Sequence, residues 1–506
     1  MTIHCLSRSG LSATLGELSS AESRTELKKW ERPSAKERYH SMDEITLKNF
    51  RCFREEQTAR LAPLTLLVGE NSTGKTSFMA MIRALWDAAS WDRVPDFKED
   101  PYDLGSFDEI SHHRGAKGSR AATFEAGFNI APRAIHGKRQ NANTNGHPYR
   151  LEVTFKKRGT VPGPVKMRFS HEGVWVDVYL EDQSWQVSFG TSRGTWKFSD
   201  TFPDLKITGY ESNLSPFLYP ISLRTRGSIR DRENKSEPIS LQGSGPPTDK
   251  DWELIDQLVH TYQQRSLDYY SRQPYASAPV RSKPRRTYDP SRTTRDPEGD
   301  YIPMYLADVY SQNKGQWNKL KDALEEFGQV SGLFDEILVK PLGNKESGPF
   351  QVQIRKYGKR VKGPQRNLID VGYGVSQVLP VITELLRPDA PSMFLLQQPE
   401  VHLHPSAQAA LGSFFCQVAK PERQLVVETH SDHLLDRVRM DVRDGTAALK
   451  PNDVSILFFE RKDLDVHIYS LRIDEEGNIE GAPDGYRNFF LEETARSLWK
   501  RQSIGT

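Results

Sequence analysis

The stretch Leu64-Thr-Leu-Leu-Val-Gly-Glu-Asn-Ser-Thr-Gly-Lys-Thr76 constrains the fold more than anything else in the chain. An apolar strand runs into Gly69-x-x-x-x-Gly74-Lys75-Thr76, and a helix-compatible segment begins at once with Ser77. Strand, glycine-rich loop and helix in this order are what a phosphate-binding loop requires. Gly69 and Gly74 let the backbone turn tightly, so that the N–H groups of Glu70, Asn71, Ser72 and Thr73 approach phosphate oxygens. Lys75 reaches the β- and γ-phosphates, Thr76 is placed to ligate Mg²⁺, and the helix opening at Ser77 adds its positive end. The expected cofactors are ATP and Mg²⁺.

Length and composition bound the rest. A chain of 506 residues has room for two to four domains and a large core. The net charge of +2 names no partner. Cys5, Cys52 and Cys416 are too scattered for a metal pattern and fit a reducing cytoplasm. No apolar run approaches the ~20 residues that span a bilayer, and the Ser-rich start lacks the apolar core of a secretory signal.

Residues 1–41 read as an extension, with Met42 a possible alternative start. Residues 42–140 read as an N-terminal ATPase lobe and 141–345 as an inserted β and helical region with basic loops. Residues 346–506 read as a C-terminal ATPase lobe. Ile45–Phe53 alternates as a strand, and the alternation of 121–130 and 150–190 predicts antiparallel sheet. Helices are expected over Trp252–Gln264 and Gly315–Phe327, and a hairpin about Tyr357-Gly358. From Ser376 onward helix and strand alternate through Ser392–Leu396, Ser406–Val418, Gln424–Glu428, Asp432–Asp444 and Val454–Glu460. That alternation predicts an α/β layer with parallel pairing.

Two further elements point toward the same ligand. Gly372 and Gly374 precede a helix start near Val375, Ser376 and Gln377, and such an end presents N–H groups and a hydroxyl to an anion. The strand ending at Gln397-Gln398-Pro399-Glu400 and the strand ending at Glu428-Thr429-His430 should finish on the carboxyl edge of one parallel sheet, where ligands bind. His430 there is expected to face the γ-phosphate.

With these elements the chain resembles the ATP-binding-cassette (ABC) type of ATPase. It resembles most the soluble group of overcoming-lysogenization-defect (OLD) nucleases, Rad50 and SMC heads, AAA15-like and DUF3696-like chains and anti-phage ATPase subunits. The resemblance rests on Asn49-Phe50-Arg51, the P-loop, Gly372–Gln377, Pro399-Glu-Val-His-Leu-His-Pro405 and Glu428-Thr-His-Ser431, in that order. It implies an ABC-ATPase head: a P-loop parallel core, an antiparallel β subdomain and a helical subdomain carrying the signature at Gly374-Val375-Ser376. It further implies a head-to-head homodimer in which one subunit's signature helix covers the other's nucleotide. His404 then takes the D-loop position and His430 the switch position. The implied role is regulatory, controlling a separate nuclease or toxin subunit in anti-phage defence, with a Septu-type system one instance. A DNA end-processing ATPase and a hydrolysis-deficient scaffold are the alternatives.

The resemblance also marks a departure. The two acids that close a Walker B strand, one for Mg²⁺ and one for the attacking water, are replaced by Gln397 and Gln398. Some relatives carry Gln at the second position, whereas Gln397 is less expected. Amides bind hard cations more weakly than carboxylates, and an amide is no general base. Glu400 either shares that work or serves as a turn or dimer contact. Slow or absent hydrolysis is expected. No nuclease constellation follows His430, and Asp463-x-Asp465 reads as solvated surface. Two basic stretches, Arg281–Arg295 and Arg355–Arg366, are candidate nucleic-acid contacts.

Overall fold

The computed structural model describes residues 42–88, 95–115, 119–130, 148–180, 184–201, 242–243, 245–265, 273–290, 294–343, 348–483 and 485–486, all within one compact unit. The extension 1–41 and Arg292 lie outside these described residues.

The chain opens with β1 (Met42–Lys48) and β2 (Gln57–Arg60), then β3 (Leu64–Gly69) and α1 (Lys75–Ala88), which flank the glycine-rich loop. After a single helical turn, α2 (Phe107–Ile110), come β4 (Thr123–Ile130), β5 (Tyr149–Arg158), β6 (Val161–His171), β7 (Val174–Leu180), β8 (Ser184–Thr191) and β9 (Gly194–Thr201). The short β10 (Gln242–Gly243), α3 (Asp249–Arg265) and β11 (Tyr275–Ser277) lead to α4 (Ile302–Gln312) and α5 (Lys314–Ser331). A small group, β12 (Glu336–Pro341), β13 (Phe350–Arg355) and β14 (Arg366–Asn367), precedes α6 (Tyr373–Leu386). Then β15 (Met393–Gln397), α7 (Pro405–Val418), β16 (Gln424–Glu428), α8 (Asp432–Arg443) and β17 (Val454–Lys462) alternate before β18 (Asp465–Ile473) and β19 (Ile479–Glu480).

One sheet of seven strands, ordered β11-β15-β16-β3-β17-β18-β19, forms the core layer. Its first five strands are parallel, and β18 and β19 return antiparallel. Successive side chains enter opposite cores. Leu67, Leu395, Val426 and Leu457 pack with α1 and the second sheet. Leu66, Leu396, Val427 and Ile456 pack with α4 to α8. Burial on both faces explains why these strands read as unbroken apolar runs.

The second sheet is antiparallel, ordered β10-β9-β8-β7-β6-β5-β4-β1-β2, and strands from both sides of residue 140 share it. Phe124 and Phe155 stack at 4.9 Å in its core, with Phe97 edge-on to both. The fold is thus an α/β ABC-ATPase head, with a parallel P-loop core, an antiparallel β layer and a helical layer.

Three local differences from the sequence reading have physical reasons. The alternation through Phe53 ends as a strand at Lys48, because Asn49 and Arg51 take φ of 55° and 47° and the turn closes by the Phe50 N–H bonding to the Phe53 carbonyl. Helix α4 has no counterpart in the sequence reading; its Pro303 sits in the first turn, where no intrahelical N–H is needed. The hairpin strand β13 takes its main partner from upstream, pairing with β12 over six residues and with β14 over two.

Leu395 is fully buried on the central strand β15. Leu395→Ala is expected to lower unfolding free energy by about 2–5 kcal/mol in urea titrations, from lost transfer energy plus a residual cavity.

Candidate functional site: a phosphate-binding loop at the sheet's carboxyl edge

The loop between β3 and α1 is shaped by its glycines. Gly69 has φ 137°, and a Cβ there would lie 2.4 Å from the Phe459 carbonyl oxygen on β17. Gly74 has φ 84°, and its Cβ would meet Cys52 Sγ at 2.5 Å. Ser72 also takes positive φ, 62°. The tip Glu70, Asn71 and Ser72 is exposed, whereas Thr73, Lys75 and Ser77 are buried and Thr76 is exposed. Side chains fix the loop internally: Thr73 Oγ1 donates to the Glu70 carbonyl at 2.8 Å, and Lys75 Nζ donates to the carbonyls of Gly69 (3.0 Å) and Glu70 (2.6 Å). From outside, Arg461 on β17 donates to the Ser72 carbonyl, and Arg51 Nη1 donates to Ser77 Oγ at 3.3 Å. Burial pulls the Lys75 pKa down, against the charges of Glu428 and Glu70.

The strand ends meet as parallel pairing requires. Gln397 lies in register with Glu428, and Glu428 with Leu67 of β3. The residue that touches the loop is Glu428: its Oε2 accepts the Thr76 hydroxyl at 3.0 Å. Gln397, expected to share Mg²⁺ with Thr76, is one strand further away; its buried amide faces the Tyr102 hydroxyl without closing a hydrogen bond. Gln398 takes φ 41°, and its N–H donates to the Glu428 carbonyl at 2.9 Å. Glu400 is buried, and its Oε1 accepts the His430 N–H at 2.8 Å, which ties the two strand-end turns together. Its Oε2 is buried without a hydrogen-bond partner, and burial pushes its pKa up. His430 is pushed down by burial and by the Lys75 charge, so its ring is neutral at pH 7 beside the loop.

In the glycine-preceded helix α6 the first-turn polar side chains bond within the protein. Ser376 is buried, and its hydroxyl donates to the Tyr373 carbonyl at 2.9 Å. Gln377, expected to face phosphate with Ser376, instead clasps a backbone: its Oε1 accepts the Arg281 N–H at 2.9 Å and its Nε2 donates to the Arg281 carbonyl at 3.2 Å. It is 3% exposed, so it serves as a strut. Val375 is buried too. Gly374 lies against the turn before α7, where a Cβ would meet the His402 carbonyl at 2.9 Å. His404 is exposed and caps α7, its Nδ1 within 3.0 Å of Ser406 Oγ.

The first basic stretch is partly tied into the fold. Arg281 is 2% exposed, and its Nη2 donates to the Gln397 carbonyl at 2.9 Å. Arg285 pairs with Asp300, Arg286 with Asp370, and Arg295 with Glu384. Arg281 and Arg295 thus brace β15 and α6, whereas Arg285 and Arg286 hold exposed ion pairs. In the second stretch Arg355 pairs with Glu336, but Lys359, Arg360, Lys362 and Arg366 are exposed, with Lys362 over the Tyr357 ring at 5.4 Å. Asp465, read as solvated acid, is an ion-pair partner of Arg114 and lies 3.7 Å from His112 Nε2.

The intact loop, the parallel order and the converging strand ends define a P-loop ATPase of the ABC type. By its sequence over residues 64–436, the chain belongs to the AAA-domain family described as putative AbiEii toxin, type IV TA system. A second, short match over residues 449–497 is to the family of unknown function DUF3696. No curated protein matches the chain. Similar solved structures include an SmcHead bound to the C-winged helix domain of ScpA, at 11% identity and TM-score 0.38, covering 86% of this chain and 98% of that one. Another is the Smc head domain with an extended coiled coil bound to the C-terminal domain of ScpA, derived from Pyrococcus furiosus, at 11% identity and TM-score 0.39, covering 92% and 100%. A third is the SMC head domain from Thermotoga maritima, at 11% identity and TM-score 0.35, covering 85% and 98%. Among the described residues no helix is long and apolar enough to cross a membrane.

Three contributors to the site have no role in the sequence reading. Glu428 carries a signal, an acid closing an otherwise apolar strand at the ligand edge. Arg461 and Tyr102 carry none, because their contacts bridge positions far apart in sequence.

Glu428 is 5% exposed, and burial pushes its pKa up; the Lys75 charge and the Thr76 hydroxyl offset only part of this. The folded chain thus holds this proton above the pH at which an unfolded glutamate, at about 4.3, releases it, and ionisation at neutral pH subtracts stability. Glu428→Gln is expected to raise the melting temperature at pH 7 in nucleotide-free EDTA buffer. The gain should vanish as pH falls below about 4.

Proposed function

We propose that this chain is a nucleotide-gated regulatory ATPase. It binds Mg²⁺·ATP in the Gly69–Ser77 loop and pairs head to head with a second copy, so that the Gly374–Ser376 helix end of one covers the nucleotide of the other. It hydrolyses slowly, and its nucleotide state holds or releases a separate effector, a nuclease or toxin, in cytoplasmic anti-phage defence. The observation that carries this reading is a complete phosphate cradle beside a core strand that ends in two amides.

The residues fit Mg²⁺, since a hydroxyl and a carboxylate oxygen stand 3.0 Å apart at the start of α1. When bound, the ion would neutralise phosphate charge and hold Thr76. Lys75 and the loop N–H groups bind the β- and γ-phosphates. His430, neutral and adjacent to Lys75, is available as a hydrogen-bond partner for the terminal phosphate. Gln398 orients a water without accepting its proton, which leaves the step slower by on the order of 10²–10⁴. Glu400 acts through the His430 backbone as a positioning residue. The exposed Tyr373 beside His402, and the exposed His404, support a contact with a second copy.

Lys75→Ala is expected to abolish nucleotide binding. The unmodified chain should bind ATP and release phosphate slowly, and Gln398→Glu should speed release by about 10²-fold. Rapid Lys75-dependent release by the unmodified chain would overturn the slow-turnover reading. Native mass measurement showing only single, ATP-loaded protomers would overturn the pairing.

A second reading, direct contact with nucleic acid, is favoured by the exposed hairpin charges. If it holds, reversing Lys359 and Arg360 to Glu lowers DNA or tRNA affinity, and the salt slope of log affinity falls by about 1 for each phosphate no longer neutralised. A flat response to salt in the unmodified chain removes it.

A further inference from the structure

A strand that ends in two amides leaves the metal of a bound nucleotide without its usual acid, and the neighbouring strand supplies one. β16 lies between β15 and β3, so its last residue is one strand nearer the phosphate loop than Gln397. That residue is Glu428, and its carboxylate already contacts the P-loop threonine.

We propose that Glu428 is the carboxylate that holds the divalent cation of the bound nucleotide, so that the metal-binding acid has moved from the end of β15 to the end of β16. This rests on the reading that the loop binds Mg²⁺·ATP.

Three observations carry it. The first is distance: Thr76 Oγ1 and Glu428 Oε2 are 3.0 Å apart. Adjacent oxygens around an octahedral Mg²⁺ with bonds of ~2.0–2.1 Å stand about 2.9 Å apart, so the separation of these two oxygens fits one coordination shell. The second is chemistry: the side chain that pairs in register with Glu428 is Gln397, a neutral amide turned toward Tyr102. The site would otherwise offer a hard cation no carboxylate from these two strands. The third is burial. A carboxylate 5% exposed, beside apolar strand floors, is unfavourable unless a positive charge meets it. The Lys75 charge meets it only in part, and the ammonium donates its hydrogen bonds to two loop carbonyls.

A purely structural role makes a different forecast. If Glu428 only accepts the Thr76 hydroxyl, glutamine replaces it fully, since its amide oxygen accepts the same bond.

The test uses the full-length chain and a fluorescent ATP analogue, titrated in EDTA, in Mg²⁺ and in Mn²⁺, with Mn²⁺ bound in the presence of ATP followed by electron paramagnetic resonance. In the unmodified chain Mg²⁺ is expected to tighten nucleotide binding at least tenfold. Glu428→Gln should bind the analogue in EDTA within about twofold of the unmodified chain, which also reports an intact fold. It should lose the Mg²⁺ enhancement and the protein-bound Mn²⁺ signal, and Thr76→Ala should lose the enhancement likewise. Retention of both the enhancement and the Mn²⁺ signal by Glu428→Gln would overturn the proposal. Failure of the unmodified chain to bind the analogue at all would instead overturn the nucleotide reading on which it rests.

Discussion

The in-register pairing of β15, β16 and β3 is the constraint on which the site depends. Parallel strands need crossover connections: α7 makes the one from β15 to β16, and α8 carries the chain from β16 past β3 to β17. With both faces packed, the interiors of β15, β16 and β3 are apolar apart from Thr65, and the polar side chains Gln397 and Glu428 stand where the strands emerge. A one-residue slip would turn every side chain to the opposite core. Hence Glu428 is fixed opposite the P-loop as firmly as Leu425 and Val427 are fixed in the interior. The chemistry at the edge inherits its precision from apolar packing below it.

A second layer of order comes from Arg281. Its backbone is clasped by Gln377 of α6, and its guanidinium reaches the carbonyl at the end of β15. One residue thus connects the helix that presents Gly374 and Ser376 to the strand that presents Gln397 and Gln398. The guanidinium is buried, and its pKa is pulled down to about 10, so it remains charged at physiological pH. Glu400 lies close enough to share its field. Helix α6, the end of β15 and the His430 turn are thereby linked by hydrogen bonds through Arg281 and Glu400.

The fold is legible in the sequence where local patterns decide structure. The P-loop, the alternating helices and strands after Ser376 and the alternating residues around Val153 and Val176 all carry short-range periodicity. What the sequence hides is partners. Arg281, Arg285, Arg286 and Arg295 look like a cationic stretch on paper. The acid that meets Arg285 lies 15 positions on and the one that meets Arg286 lies 84 positions on, while Arg281 meets a backbone carbonyl. Gln377 looks phosphate-facing for a related reason: the face of a helix that meets a loop 96 residues upstream has no local signature. The loss of acid at Gln397 is plain in the sequence, whereas its neighbour across the ladder becomes apparent only once the strand order is known.

The tip of the phosphate loop bears a final consequence. Its carbonyls at Gly69, Glu70 and Ser72 are all engaged, by Lys75, Thr73 and Arg461, before any anion arrives. Freezing a mobile backbone residue on binding forfeits roughly 1–2 kcal/mol of entropy. A loop stiffened in advance is spared much of that loss, and its affinity for anions is correspondingly less diluted by ordering. Because Arg461 stands on β17, that rigidity is lent to the loop by a strand 389 residues downstream.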